Sequence, residues 1–306
     1  MIDFKNQVVI VTGAGRGLGR LYAMELARRG ASVVTNDLGG SMHGEGSDAS
    51  VADAIVEEIV RAGGIAVASH DSVDSPEGGE AIVRTAIDRF GRLDAVASNA
   101  GIFNRVPFDE LTPADWRRML SVHLDGGFYL SQPAYRVMKA AGYGWFVFIS
   151  SSGGMFGQPL EARYAAAKAG LVGLANVIAI EGGQHGILAN TVLPFGFSRM
   201  VTETVGDPKA LEQTGFLKVI QPELVVPIVA FLTSRACDSP ITTTRPAPGA
   251  FRGSSSASAK VGSPSRALTR RPTMSPRISR RSPPPSRSPS LGRSSKKSSR
   301  SAKGSA

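Results

Sequence analysis

Three side chains near the middle of the chain are spaced for proton chemistry. Ser151 sits at the close of an apolar run, Trp145–Ser150. Tyr164 follows thirteen residues later and Lys168 four after that, in Tyr-Ala-Ala-Ala-Lys. An i, i+4 pair lies on one helix face. A free tyrosine has a pKa of roughly 10, too high for proton transfer near neutrality. A neighbouring ammonium stabilises the phenolate and lowers that value. Tyr164 can then take a proton from an alcohol, or return one. Ser151 can hydrogen-bond the same oxygen and hold it against Tyr164. Tyr-x-x-x-Lys alone arises by chance in helices, so the reading depends on what else the chain carries.

The partner signal lies at the N-terminus. Val8–Gly19 reads Val-Val-Ile-Val-Thr-Gly-Ala-Gly-Arg-Gly-Leu-Gly, a β-branched run that ends in glycines and passes directly into a helical pattern. Such a junction aims free backbone N–H groups and the positive end of a helix dipole at one point, which suits a phosphate. Gly13 allows the turn, Gly17 lets backbone approach a pyrophosphate, and Gly19 lets the helix pack on the strand, with Arg16 and Leu18 between them. A turn that binds nothing is the bland alternative. Asp37, at the end of the second apolar run, is placed to accept from an adenosine ribose diol and to repel a 2′-phosphate, so NAD is favoured over NADP. Asp71-Ser72 and Asn99-Ala100-Gly101 end the third and fourth runs. Together they predict one cofactor groove, with Pro194 opening a segment that covers the nicotinamide.

These groups need a scaffold that brings strand ends to one edge. Apolar runs at Val8–Thr12, Ser32–Asp37, Ile65–Ser69, Leu93–Ser98, Trp145–Ser150 and Ile187–Leu193 alternate with helical patterns. The helices are expected at Gly17–Arg29, Ala49–Ala62, Pro76–Phe90, Thr112–Ala141, Glu161–Glu181 and Pro222–Ser234. Continuous apolar strands separated by helices predict an α/β fold, a doubly wound parallel sheet covered on both faces. Phe195, Phe197, Met200, Val201 and Phe216 are expected to form an apolar substrate lid.

The net charge of +10 is misleading over the whole chain. Fifteen Lys/Arg and one acid fall in residues 237–306, leaving twenty basic and twenty-four acidic side chains in residues 1–236. The first part reads as a mildly acidic domain. The single cysteine, Cys237, excludes an intramolecular disulfide and suits a reducing compartment. No basic-then-apolar leader is evident, no apolar run approaches a membrane span, and no metal site is expected, which together predict a cytoplasmic enzyme.

The motifs Thr12–Gly19, Asn99-Ala-Gly101, Ser151 and Tyr164-x-x-x-Lys168 resemble the short-chain dehydrogenase/reductase family over residues 4 to about 236. Asn36-Asp-Leu-Gly-Gly40, His70-Asp-Ser-Val73, Val122-His-Leu124, Gly173-Leu-Ala-Asn176 and Ser198-Arg-Met200 resemble one branch, the (3R)-hydroxyacyl-CoA dehydrogenase domains of multifunctional enzyme type 2 and bacterial relatives. The resemblance implies a Rossmann-type fold and NAD-linked hydride transfer at a secondary alcohol, with an acyl-CoA as one substrate class. It implies Tyr164 as acid/base, Lys168 tuning it and reaching the nicotinamide ribose, and Ser151 positioning substrate. It also implies a homodimer or homotetramer built on the two long helices. The wider family holds a water with an Asn where this chain has His123. The imidazole can hold a water through either nitrogen, or be a polar core residue.

The family also continues with a last strand and a glycine-rich C-terminal segment. Here the pattern breaks after Arg235, so the last strand is expected to be missing and residues 237–306 to form a disordered Ser/Arg/Pro-rich tail. With suitable codons, the stretch from Asp238 re-reads as Leu-Thr-His-His-Asn-Tyr-Ser-Ala-Cys-Ala-Gly, so a frameshifted C-terminus is one account. The other is a basic arm on a non-catalytic protein that binds nucleotide or, with strong salt dependence, nucleic acid.

Overall fold

The computed structural model describes residues 2–194, 220–239, 243–244 and 258–259. The lid residues Phe195–Phe216 and almost all of the tail therefore lie outside the described residues. Six parallel strands form the body of the sheet: β1 (Val8–Thr12), β2 (Ser32–Asn36), β3 (Ile65–Ser69), β4 (Ala95–Ser98), β5 (Gly144–Ile149) and β6 (Ile187–Val192). Their order is β3-β2-β1-β4-β5-β6, with the reversal between β1 and β4. In such a sheet the ligand crevice lies at that reversal, outside the carboxyl ends of the strands.

Helices cover both faces: α1 (Gly17–Arg28), α2 (Ser50–Arg61), α3 (Pro76–Phe90), α4 (Pro113–Leu120), α5 (Gly126–Ala141), α6 (Ser152–Phe156), α7 (Ala162–Gly182) and α8 (Val226–Leu232). Val9 and Val11 face one apolar layer with Tyr22, Leu26, Ile59 and Val229. Val8 and Ile10 face the other, with Ile82, Leu130, Phe146 and Leu171. Burial on both faces explains why the strands read as unbroken apolar runs.

Four expectations are corrected. The helix predicted over Thr112–Ala141 is split by a π-helical turn, Ser121–Asp125, which turns His123 into the core. A π turn carries one extra residue, so the side chains before and after it face different directions. Second, α6 is a helix the sequence reading omitted. It is a single glycine-rich turn, capped by Ser151, whose Oγ accepts from Gly153 N at 3.1 Å. Third, Ala162–His185 is long and apolar enough by composition to cross a membrane. Its apolar character serves packing, since Leu171, Ala175 and Ala179 are buried against the sheet.

Fourth, the sheet continues past β6. Thr243–Thr244 (β7) pairs parallel with Thr191–Val192, and Ser258–Ala259 (β8) pairs antiparallel with β7. The chain also remains packed beyond 236. Cys237 is buried, Trp145 Nε1 donates to its carbonyl at 3.2 Å, and Asn190 Nδ2 donates to the Ser239 carbonyl at 3.3 Å. Two buried side-chain donors, Trp145 and Asn190, thus tie down a segment whose composition alone argues against folding.

Candidate active site

The glycine turn is held against the end of β4 by two residues. Thr12 Oγ1 accepts from Asn99 N and Ala100 N, both at 3.0 Å, and Asn99 Nδ2 donates to Thr12 O at 3.0 Å. Gly19 has no room for a side chain, because a Cβ there would lie 2.0 Å from Gly13 O. Gly17 is different. Its φ is +55°, and among the described residues no atom would lie within 4 Å of a Cβ there. The space is open, and α1 begins beneath it with no acid in its first turn and no side-chain cap. Those free N–H groups make the turn an anion cradle.

Asp37 stands at the end of β2. Its Oδ2 accepts from Gly15 N and its Oδ1 from Gly39 N, each at 2.8 Å. Both the ribose and the loop readings of this residue are thus compatible with its contacts, since each carboxylate oxygen keeps a further lone pair. Arg16 is turned aside, donating to Gly40 O at 3.1 Å. Asp71 and Ser72 follow β3. Ser69 Oγ donates to Asp71 Oδ2 at 3.0 Å, and Asn36 Nδ2 to Asp71 O at 2.8 Å.

The proton-handling residues stand across the reversal. Tyr164 and Lys168 are both buried on α7. Lys168 Nζ donates to Ile149 O at 2.7 Å, and its own carbonyl accepts from Ser150 Oγ at 2.6 Å. These bonds lock α7 to the end of β5, which also carries Ser151. Burial raises the Tyr164 phenol to about 12; a hydrogen bond with Ser151 works against that, and the charge of Glu161 adds to it. Burial lowers the Lys168 ammonium to about 7. In the cofactor-free site the phenol is therefore protonated at neutral pH.

His123 fills the space between strand end and phenol. Its ring meets Tyr164 edge-on at 5.3 Å, and Phe103 does the same from the other side at 5.2 Å. His123 Nε2 lies 3.1 Å from Ile102 N and 2.8 Å from Ile102 O, while Nδ1 is buried without a partner. Burial, and then the nearby Lys168 charge, hold its pKa well below the ordinary histidine value, so the ring is neutral. Nε2–H of the neutral ring can donate to Ile102 O, its shorter contact, which leaves Nδ1 as a buried acceptor without a partner. Gly101 is shaped to this ring, since a Cβ there would fall 2.3 Å from His123 Cε1.

All sixteen residues picked out from the sequence line one cavity of about 590 Å³, from Gly13 and Asp37 at one end to Pro194, Ser151 and Tyr164 at the other. The sequence reading missed other walls of the same cavity: Met42, Ile102, Phe103, Arg118, Gln158 and Glu161. Phe103 could have been found from its place two residues after Asn99-Ala-Gly101, and Glu161 from its place three before Tyr164. Arg118 carried no local signal. It reaches the cavity by bridging Asp74 at 2.5 Å and Gly44 O at 2.8 Å.

Residues 7–209 match the family model for short chain dehydrogenases. The chain belongs to that family. Its members are oxidoreductases acting on CH–OH groups with a nicotinamide cofactor, and the open glycine cradle and continuous cavity fit such a dinucleotide. This dehydrogenase is 46% identical over 232 residues to the peroxisomal hydratase-dehydrogenase-epimerase of Saccharomyces cerevisiae, covering 76% of this chain and 25% of that protein. It thus spans a quarter of that relative's length. It is 32% identical to a 3-oxoacyl-[acyl-carrier-protein] reductase of Synechocystis, covering 79% of this chain and 95% of that one. Among solved structures, a 7α-hydroxysteroid dehydrogenase complexed with NADH and 7-oxo glycochenodeoxycholic acid superposes with a TM-score of 0.71 at 27% identity, covering 81% and 95% of the two chains.

Proposed function

We propose that this dehydrogenase is NAD-dependent and oxidises a 3-hydroxyacyl thioester, or reduces the matching 3-oxo compound, with Tyr164 as general acid/base. The observation that supports it best is the shared cavity. Ser151, Tyr164 and Lys168 stand on one wall of it, and Asp37 stands at the far end beside the glycine cradle. Asp37 and the turned-away Arg16 favour NAD, because a 2′-phosphate would meet a carboxylate. The acyl reading draws on relatives: one is named a 3-oxoacyl reductase and another a hydratase-dehydrogenase-epimerase.

A bound oxidised nicotinamide supplies the hydride acceptor and a positive charge beside the phenol. Tyr164 Oη takes the hydroxyl proton, and Ser151 holds the substrate oxygen against it. Lys168, fixed by Ile149 O, keeps a cation near the phenolate that forms, and His123 packs against the phenol ring. Low surrounding dielectric strengthens each of these interactions. The experiment is dinucleotide reduction over a panel of 3-hydroxyacyl-CoA chain lengths with NAD and NADP. No reduction with any member would refute the substrate reading, and a preference for NADP would refute the cofactor reading.

The apolar residues Phe128, Val177 and Ile180, exposed on α5 and α7, support a homodimer through those helices. Light scattering would show a dimer or tetramer mass. A cytoplasmic location goes with this reading, to be checked by fractionation. The frameshift account of the tail is tested by the gene sequence around Asp238.

A further inference from the structure

Glu161 has no place in the chemistry described so far, yet it is built into the catalytic end of the cavity. It is 2% exposed and lines the cavity beside Ser151 and Tyr164. A Cβ at Gly153 would fall 3.3 Å from Glu161 Oε2 and 3.4 Å from Ser151 Oγ, so carboxylate and hydroxyl each lie within contact distance of one point. The Gln158 amide, oriented by its neighbours, donates to Glu161 Oε1 at 3.0 Å and Oε2 at 3.3 Å. Glu161 also stands at the N-terminus of the 21-residue helix α7, where a helix dipole favours negative charge. Its charge is felt at the phenol, where it works against ionisation of Tyr164.

We infer that Glu161 sets substrate selectivity, admitting alcohols whose acyl group, two carbons from the reacting carbon, is neutral and rejecting those that carry a carboxylate there. This rests on the acyl reading above. A 3-hydroxyacyl ester or thioester is uncharged where the free 3-hydroxy acid bears an anion, two carbons from the hydroxyl that Ser151 holds. Binding the acid brings a second carboxylate close to Glu161, itself buried in the cavity wall. Like charges at such range cost enough to change affinity by about tenfold or more. The neutral ester meets no such penalty, and Gln158 fixes the carboxylate where it acts.

The test compares 3-hydroxybutyrate with its methyl ester and its N-acetylcysteamine thioester as substrates, at saturating cofactor. In the unaltered protein the neutral compounds are favoured in kcat/KM. Glu161→Gln should narrow that preference about tenfold or more, through a lower KM for the acid. Glu161→Asp, which keeps the charge, should retain the preference. Equal use of acid and ester by the unaltered protein overturns the inference without any variant. So does an unchanged preference in Glu161→Gln. If no member of the acyl set reacts but another neutral alcohol does, the acyl reading fails. The same comparison between that alcohol and its carboxylated counterpart then decides the role of Glu161.

Discussion

Lys168 Nζ lies 5.6 Å from the centre of the Tyr164 ring and spends a hydrogen bond on the Ile149 carbonyl at 2.7 Å. The two residues share a helix face, yet the phenol remains raised to about 12 and the ammonium lowered to about 7, both mainly by burial. The pair is therefore held with its proton on Tyr164 until positive charge arrives with the cofactor. Tyr164→Phe should reduce turnover by about 10²–10⁴-fold, as loss of a general acid/base does. Dinucleotide affinity, measured by fluorescence titration, should change little. A variant with ordinary turnover would refute the assignment.

The buried ammonium also shapes stability. Its folded pKa of about 7 lies below the unfolded lysine value of 10.5, so between those limits the unfolded chain holds more protons. Stability should rise with pH from about 7, with a slope on the order of 1 kcal/mol per pH unit, and it is lost again as pH falls through 7. Above about 10 the trend reverses, because unfolded tyrosine ionises before Tyr164 does. Denaturant unfolding of the cofactor-free protein at pH 7 and 9 measures the rise, which Lys168→Met should remove.

Asp37 carries two backbone contacts besides its cofactor assignment, and they predict a mixed outcome. Asp37→Asn should shift the NAD-to-NADP preference in kcat/KM towards NADP by at least about tenfold, since a phosphate no longer meets a charge. It should also cost about 1 kcal/mol of stability, because the Gly15 and Gly39 amides lose a charged acceptor. Kinetics with both cofactors and thermal unfolding separate the two effects.

Gly101 and His123 are fitted to each other. Gly101→Ala places a methyl 2.3 Å from the ring and should destabilise by about 1–3 kcal/mol, seen as a lower Tm. His123→Phe keeps the packing but removes both nitrogens. Retained stability with lowered kcat would mark the ring as part of proton handling, and unchanged kcat would mark it as core.

The strands and the catalytic spacing were legible because each rests on local chemistry. Val8–Thr12 has no polar face to misplace, and Ser151, Tyr164 and Lys168 are fixed by a strand end and one helix. What escaped depends on distant contacts. The π turn at Ser121–Asp125 exists because His123 bonds the Ile102 backbone, 21 residues away. Cys237 is held by Trp145, 92 residues away, which local composition could not show. Glu161 had one local cue, its place three residues before Tyr164, but nothing in its neighbours states which way its carboxylate turns.

The π turn has a further consequence, for how this protein can vary. It amounts to a one-residue insertion carried inside an otherwise continuous rod. Deleting Leu124 would restore an ordinary α-helical ladder, and by local propensity alone that shortened helix would be the better one. It would also rotate everything before the cut by about 100° relative to α5, swinging His123 away from Ile102 or dragging α4 off the cavity. The segment should thus tolerate exchanges of side chain far better than changes of length, and a lineage that lost the extra residue would have to rebuild this wall of the cavity from other parts.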